Sequence, residues 1–178
     1  MQKNLSIREI SMMAICVAFC AVSAYISFPL PFTPGLVTAV TIALSVTAFL
    51  FSPKKTFIVI AVYLLIGAIG LPVFAGGKAG LGTLISATGG FYLAWLVAYP
   101  LVSKFKGEHP DLKKYVIADV IFGMPVTYLG GIITLMIFME ISFWQAFLLG
   151  ALPYIIGDVI KCIFAAFLAV RIQKYLNR

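Results

Sequence analysis

Long runs of apolar residues dominate this sequence, and only short stretches containing Pro, Gly or charged residues interrupt them. About 20 mostly apolar residues suffice for a helix to cross the hydrocarbon core of a membrane. With 62% hydrophobic and 11% charged residues among 178, the chain lies outside the composition of soluble globular domains. The runs also lack the alternating pattern of barrel strands. The sequence therefore predicts an all-α membrane protein.

Six apolar runs can be separated, and each predicts one transmembrane helix. Their boundaries are residues of the kinds that commonly end helices. The first run is longer than the apolar core of a signal peptide, which has about 7–15 residues, and this favours a retained helix over a cleaved signal. Together the runs predict a bundle of six transmembrane helices in a single transmembrane domain, residues 1–178. The predicted spans are residues 10–28, 36–51, 56–72, 83–103, 115–139 and 144–170.

The positive charges fall almost entirely on one side of this predicted topology. Cytoplasmic segments next to membrane spans carry an excess of Lys and Arg, so we expect both termini in the cytoplasm. The net charge of +7 is accounted for in this way, and nothing further supports binding to nucleic acid. The eleven of the 13 Lys and Arg on the predicted cytoplasmic side are Lys3, Arg8, Lys54, Lys55, Lys104, Lys106, Lys113, Lys114, Arg171, Lys174 and Arg178.

No catalytic or metal-binding set of residues is visible. Cys16, Cys20 and Cys162 fall inside predicted spans without the spacing of metal ligands, and we interpret them as packing residues. His109 lies in a polar loop with no His or Cys nearby, which favours a solvated side chain over a metal ligand. The GGKA sequence around Lys78 lacks the other residues of a phosphate-binding loop. We expect no metal, no cofactor and no enzymatic activity.

A glycine-rich stretch, GLPVFAGGKAGLG at residues 70–82, follows the third predicted span. Irregular backbone at membrane depth is tolerated only where it is buried in protein or lines a cavity. The stretch is either one wall of a ligand site or a plain flexible outer loop. Phe74 and the nearby TGG at residues 88–90 favour the ligand site.

The second unusual feature is GDVIK, residues 157–161, inside the sixth predicted span. Asp158 and Lys161 are three positions apart, which places them on one face of a helix. A charge at the centre of a span costs about 2.5–3.5 kcal/mol, so the pair is a candidate functional site, although mutual neutralisation is the alternative. The pair alone is too sparse for a membrane enzyme. Asp119 and Glu140 lie near predicted span ends, and we expect them only to mark the membrane interface.

Four segments in order carry a family resemblance: PLPFTP at 29–34, YLLIGAIGLPVFAGG at 63–77, TGG at 88–90 and LPYIIGDVIK at 152–161. With these motifs nearly the whole chain resembles the BioY family, the biotin-binding S components of energy-coupling factor (ECF) transporters. The resemblance implies a multi-pass protein of the prokaryotic plasma membrane that captures biotin or a similar small acid. It also implies partners, namely a transmembrane T component and two ATP-binding subunits, since the chain has no nucleotide motif.

The resemblance further implies which residues bind the substrate. Asp158 and Lys161 are expected to line the biotin pocket. A carboxylate only accepts hydrogen bonds and suits the ureido N–H groups, whereas an ammonium only donates and suits the ureido oxygen or the valerate carboxylate. The glycine-rich loop is expected to pack over the ligand, with PFTP as a lid. The other implied residues are Lys78, Tyr92, Phe74, Gly76, Gly77, Thr88 and Gly89 for the substrate, and Phe32, Thr33 and Pro34 for the lid.

The sequence departs from the family pattern near the expected ligand carboxylate. The usual GPTGGY reads SATGGF at 86–91, the usual TPVPIT reads TPGLVT at 33–38, and an Arg of some relatives is Tyr92 here. Lys78, where some relatives have Asn, is expected to supply the positive charge instead. The alternatives are a paralogue that takes a biotin precursor, lipoate or another small acid, and a self-sufficient secondary transporter, although the internal repeats of that class are not visible.

The first predicted helix carries a pair of small residues, Ala14 and Ala18, spaced to permit close helix approach. The resemblance implies that this face docks onto the T component. Internal packing or contact with lipid is the alternative.

Overall fold

A computed structural model describes residues 6–176, with side chains described as far as residue 175. Lys3 and Arg178, two of the charges used to predict orientation, lie outside the described residues. Within that range the chain is mainly helical. The α-helices are α1 Ile7–Ser23, α2 Val40–Leu50, α3 Pro53–Ala68, α4 Leu81–Leu84, α5 Gly89–Phe105, α6 Leu112–Ala118, α7 Met124–Met139, α8 Phe143–Gly150 and α9 Ile155–Leu176.

The connection between α1 and α2 is a β-hairpin, so the expectation of an all-α chain is wrong at this point. Strand β1, Ser27–Pro29, pairs antiparallel with β2, Leu36–Thr38, and Phe28 lies opposite Val37. The predicted first span, 10–28, and second span, 36–51, therefore each include residues of a strand. Prolines in this segment exclude a continuous helix, because proline has no N–H to donate and its ring clashes with the preceding turn.

The third and fourth predicted spans also differ from the structure at their ends. The third, 56–72, corresponds to α3, which begins earlier at Pro53 because proline is favoured in the first turn of a helix. It ends at Ala68, two residues before Gly70 takes a positive φ of 111°. The fourth, 83–103, is interrupted, since α4 ends at Leu84 and α5 begins at Gly89.

The predicted fifth span, 115–139, corresponds to α6 and α7, which a π-helical turn at Asp119–Gly123 joins. The joined helix, Leu112–Met139, has 28 residues and is the one helix within residues 6–176 that is long and apolar enough to cross a membrane by itself. A π turn closes i→i+5 hydrogen bonds, and such turns often occur at functional sites. Here the Met124 N–H donates to the Asp119 carbonyl.

The predicted sixth span, 144–170, is two helices rather than one. α8 ends at Gly150, and residues 151–154 form turns before α9 begins at Ile155. Pro153 accounts for the break, since it cannot continue the helical hydrogen bonding. Asp158 consequently lies in the first turn of α9 rather than inside a continuous helix.

The core next to the glycine-rich stretch is built from aromatic side chains. The Phe74 and Tyr92 rings are 4.9 Å apart, and the Tyr92 and Trp95 rings are 4.8 Å apart. The Tyr63 hydroxyl donates to the Val73 carbonyl at 2.8 Å. These contacts attach the segment after α3 to α5 and fix one wall of the cavity described below.

α5 and α7 approach closely at two glycines. A Cβ on Gly90 would overlap the carbonyl oxygen of Gly130, so only glycine permits this spacing. The Gly90 N–H also donates to Thr134 Oγ1 at 3.2 Å. The contact holds the first half of α7 against α5.

The cysteines lie in the interior, whereas the histidine and the small residues of α1 lie on the surface. Cys16, Cys20 and Cys162 are free and buried, which confirms their interpretation as packing residues. His109 is exposed. Ala14 and Ala18 lie on the exposed face of α1, so they do not pack inside this chain.

Lys106 closes the C-terminal end of α2. Its ammonium donates to the carbonyl oxygens of Ala48 at 2.8 Å and of Phe49 and Phe51 at 2.6 Å each. The last carbonyls of a helix have no partner within the helix, and a cation there also interacts favourably with the helix dipole. Together with Ser103, whose hydroxyl also donates to the Phe51 carbonyl, Lys106 joins the end of α5 to the end of α2.

We predict that Lys106→Met destabilises the protein, because it removes three hydrogen bonds from a charged group to the end of α2. Hydrogen bonds to a charged group are worth about 1.5–3 kcal/mol, so the free energy of unfolding should fall by about 2 kcal/mol. Thermal unfolding in detergent, followed by tryptophan fluorescence, measures the change. The matched control is Lys104→Met, since Lys104 is exposed. Equal melting temperatures for the two variants would contradict the role of Lys106.

Candidate functional site

A pocket opens between the hairpin, the glycine-rich stretch, α5, α7 and the start of α9. About 90 Å³ of its interior is open to the centre of a water molecule, so it holds more than a single water. Its walls are mainly apolar and aromatic. The sequence-predicted residues that line it are Asp158, Lys161, Lys78, Tyr92, Thr88 and Pro34.

Asp158 and Lys161 form an ion pair on one face of α9. The side chains are only 14% and 16% exposed, respectively. The Tyr128 hydroxyl, from α7, donates to Asp158 Oδ2 at 2.6 Å, and Lys161 Nζ donates to the Thr38 carbonyl of β2 at 3.1 Å. Three separate elements therefore fix the pair in place.

The pair keeps hydrogen-bonding capacity for a ligand. An ammonium has three donors, and two of those on Lys161 point to Asp158 and Thr38. A carboxylate has about four lone-pair sites, of which Lys161 and Tyr128 use two. The site therefore offers both acceptors and a donor side by side to a neutral polar group. The position of Asp158 in the first turn of α9 further favours its negative charge.

The tip of the hairpin lies at the mouth of the pocket. The Tyr154 hydroxyl, just before α9, is 2.8 Å from Thr33 Oγ1 and 2.9 Å from the Gly35 carbonyl oxygen. Pro34 lines the pocket, whereas Phe32 is 61% exposed. The segment predicted as a lid is thus hydrogen-bonded to the element that carries the ion pair.

The glycine-rich stretch contributes fewer pocket residues than the sequence analysis expected. Lys78 is exposed and lines the pocket. Tyr92 lines it too, and its hydroxyl accepts from the Ala75 N–H at 3.2 Å. Phe74, expected as an apolar wall against the ligand, is fully buried behind Tyr92 and is not among the lining residues. Its partner is Tyr63, so Phe74 supports the wall from behind.

The glycines of the stretch shape the backbone rather than line the cavity. Gly76 and Gly77 have φ values of 71° and 73°, which side-chain-bearing residues rarely adopt. The Gly76 N–H donates to Ser27 Oγ at 3.0 Å, which places the turn beneath the hairpin. Gly89, also expected at the site, is buried against the backbone of Leu84. None of these three glycines lines the pocket.

Asp119 lies in the interior, so the prediction that it marks the membrane interface is wrong. It is 3% exposed, and Ser45 Oγ lies 2.5 Å from its Oδ2. The π-helical turn begins at this residue and alters the helical register, which the sequence pattern does not reveal. Glu140, by contrast, is exposed directly after α7.

The sequence comparison settles the family once this geometry is known. The model of the BioY family matches residues 1–178. The chain belongs to the BioY family. The resemblance read from the four sequence segments is therefore confirmed.

Proteins similar to this chain occur in different organisms. The biotin transporter BioY2 of Lactococcus lactis subsp. cremoris is 31% identical over 177 residues, which cover 98% of this chain and 95% of that protein. The probable biotin transporter BioY of Pyrococcus horikoshii is 32% identical over 169 residues, which cover 93% and 96% of the two chains. Both alignments run over nearly the full length.

Two solved structures show the same fold. The S component for biotin from an ECF-type ABC transporter superposes with a TM-score of 0.88 at 24% identity, covering 98% of this chain and 95% of that one. The S component of a bacterial ECF transporter gives a TM-score of 0.62 at 16% identity, covering 96% and 98%. At these identities the likeness concerns the fold alone.

Several pocket residues of this BioY protein were missed by sequence reasoning. Tyr154 precedes Asp158 by four positions, and this spacing places both on one helix face, so the pattern contained a usable signal. Tyr128 carries no such signal, since it lies 30 positions from Asp158 and only the packing of α7 brings them together. Trp95 and Thr127 also line the pocket.

We predict that Tyr154→Phe loosens the hairpin tip, because it removes the hydroxyl that contacts Thr33 and Gly35. Hydrogen exchange of residues 30–36 should become several-fold faster, as expected when a contact worth about 1 kcal/mol is lost. Mass spectrometry of peptides from the detergent-solubilised protein measures this. Tyr175→Phe is the control, since Tyr175 is 68% exposed near the far end of α9. Unchanged exchange in both variants would show that Tyr154 does not hold the hairpin.

Proposed function

We propose that this BioY-family protein is the substrate-binding S component of an ECF-type transporter that takes up biotin. The observation that carries the proposal is the half-buried Asp158–Lys161 pair, which lines a largely apolar pocket and is held by Tyr128 and Thr38. The pair retains acceptors and a donor on the pocket side. This combination matches a cyclic urea, which has two N–H donors and one carbonyl acceptor.

The other end of the ligand is assigned to the glycine-rich stretch. Lys78 lines the same pocket and supplies a positive charge for the valerate carboxylate. Tyr92 accepts from Ala75, and its hydroxyl proton remains available for the ligand. Thr88 lines the pocket beside them. The apolar side chains between the two polar ends then contact the ring and the aliphatic tail.

Membrane topology is the next part of the proposal. The chain crosses a prokaryotic plasma membrane six times, with α6–α7 and α8–α9 each forming one crossing, and both termini lie in the cytoplasm. The distribution of Lys and Arg supports this orientation, because Lys54 and Lys55 follow α2 and Lys104 and Lys106 lie at the end of α5. The many exposed apolar side chains of the helices are suited to contact with lipid.

Energy coupling is assigned to partners. The exposed small-residue face of α1, at Ala14 and Ala18, permits close approach of another helix and is proposed to dock onto the T component. Two ATP-binding subunits then supply ATP hydrolysis. The relatives named as biotin transporters and the fold of ECF S components support this assignment.

We predict that the purified chain binds biotin in detergent without nucleotide, and that Asp158→Asn weakens this binding. The substitution removes an acceptor and leaves the half-buried Lys161 without its ion-pair partner. Losing a hydrogen bond to a charged group costs about 1.5–3 kcal/mol, so affinity should fall roughly tenfold to a hundredfold. Isothermal titration calorimetry measures both proteins against biotin, dethiobiotin and lipoate.

The outcomes of this titration separate the alternatives. Binding of lipoate in preference to biotin would assign a different small acid to the pocket. No heat with any of the three ligands would refute the substrate class. An unchanged dissociation constant in folded Asp158→Asn protein would show that Asp158 does not bind the ligand. Asp158 and Lys161 would then only neutralise each other's charge.

We predict that Lys78 recognises the ligand carboxylate. Lys78→Ala should weaken the binding of biotin by roughly tenfold, as expected for a partly exposed charged contact, and should leave the binding of the uncharged biotin amide unchanged. The wild-type protein titrated with both ligands is the reference. Equal losses for acid and amide, or no loss for either, would place Lys78 outside the site.

A further inference from the structure

A second, smaller chamber adjoins the main pocket and shares the Asp158–Lys161 pair with it. It encloses about 300 Å³ with its open parts included, of which about 20 Å³ is open to the centre of a water molecule. One water needs about 10–15 Å³ measured in this way, together with two to four polar partners. The chamber therefore has room for one ordered water. The residues that line both cavities are Thr41, Thr127, Tyr128, Asp158 and Lys161.

Asp119 is the acidic group of this chamber. It is 3% exposed and lies beside Ser45 Oγ, at 2.5 Å, and the Cys162 thiol. The Ser45 hydroxyl is also 2.8 Å from the Thr41 carbonyl, which can only accept. Since a hydroxyl has a single proton, Ser45 cannot donate fully to both oxygens. Asp119 is thus a buried carboxyl group with fewer donors than a carboxylate ordinarily has.

Two acidic side chains and one basic side chain line the chamber. Asp119 and Asp158 face one ammonium, that of Lys161. The remaining titratable groups that line the chamber are Tyr99 of α5, Tyr128 of α7 and Cys162 of α9, and α2 contributes only the hydroxyls of Thr41 and Ser45. A charge in such an interior interacts strongly with its neighbours, because the local dielectric is low. The negative charge of Asp119 therefore attracts the Lys161 ammonium across the chamber that both residues line.

Thr127 provides an independent sign of a missing polar contact. Its side chain is 8% exposed, and its Oγ1 is buried without a hydrogen-bond partner among the described residues. An unpaired buried hydroxyl is unusual in a folded protein and calls for an explanation. A water shared with Asp119 gives this hydroxyl a partner and adds a donor to the carboxyl group.

We propose that Asp119 is a positioning residue for the substrate-binding pair, coupled to it across the chamber through one ordered water that Thr127 also holds. The negative charge of Asp119 gives the Lys161 ammonium a second counter-charge across the chamber, while the ammonium stays in contact with Asp158. Because Asp158 then carries less of the work of neutralising Lys161, the lone pairs that Lys161 and Tyr128 do not use can accept from the N–H groups of a cyclic urea in the main pocket. Asp119 itself does not touch the ligand. The choice of ligand rests on the function proposed above.

The test is a double-mutant cycle with biotin on the full chain in detergent. Asp119→Asn should weaken binding roughly tenfold, and in an Asp158→Asn background it should have little further effect, because residues of one network couple. Glu140→Gln is the matched control, since Glu140 is an exposed carboxylate near the other end of α7. An unchanged affinity for Asp119→Asn, or losses that simply add, would overturn the proposal.

Thr127 supplies variants that do not depend on how Asp119→Asn folds. Thr127→Val removes the hydroxyl at similar volume and should weaken biotin binding several-fold. In an Asp158→Asn background it should have little further effect, and Thr127→Ser should retain the wild-type affinity. Equal affinities for the Val and Ser variants would overturn the shared water.

A cycle without ligand separates this proposal from the function. Thermal unfolding of Asp119→Asn, Lys161→Met and the double variant should show non-additive shifts in melting temperature. Additive shifts would overturn the coupling even if biotin binds. Absence of biotin binding by the wild-type protein, with coupling retained, would refute the proposed function and leave the role of Asp119 in place.

Discussion

A half-buried ion pair between Asp158 and Lys161 is the constraint on which the rest of the site depends. Removing two charges from water is expensive, and their mutual attraction offsets that cost only when further hydrogen bonds satisfy both groups. Here Tyr128 and the Thr38 carbonyl provide those bonds. These two bonds tie α7 to α9 through Tyr128, and strand β2 to α9 through Lys161. The close glycine contact between α5 and α7 then fixes the position of Tyr128.

Much of the site was readable in the sequence, for physical reasons that apply to particular residues. Asp158 and Lys161 stand out because charges inside an apolar run are costly, and their spacing alone places them together on a helix. Lys78 stands out because it is a charge among glycines. The order of four motifs identified the family, which fixed the fold more securely than the periodicity of the apolar runs. The local sequence was sufficient where all the residues of a feature lie on a single helix or loop.

The errors arose where two elements or a change of register decided the outcome. The hairpin was missed because its strands have only three residues each and share the apolar composition of the helices beside them. Asp119 was assigned to the interface because its position along the chain is near a predicted span end, whereas a π turn directs it inward. Phe74 was expected against the ligand, but its contacts come from α3 and α5, which the local sequence does not specify.

Strand β2 lies between two attachment points on the same stretch of chain, Tyr154 at the Gly35 carbonyl and Lys161 at the Thr38 carbonyl. Three residues of strand cover about 10 Å, and seven residues of helix rise about 10.5 Å, so the two spacings match. The strand is therefore aligned along the beginning of α9 and hydrogen-bonded to this stretch near both of its ends. A movement of the Lys161 side chain would act on the Thr38 end of the strand, while Tyr154 holds the Gly35 end. The same helix that carries the ion pair therefore also fixes the strand at the mouth of the pocket.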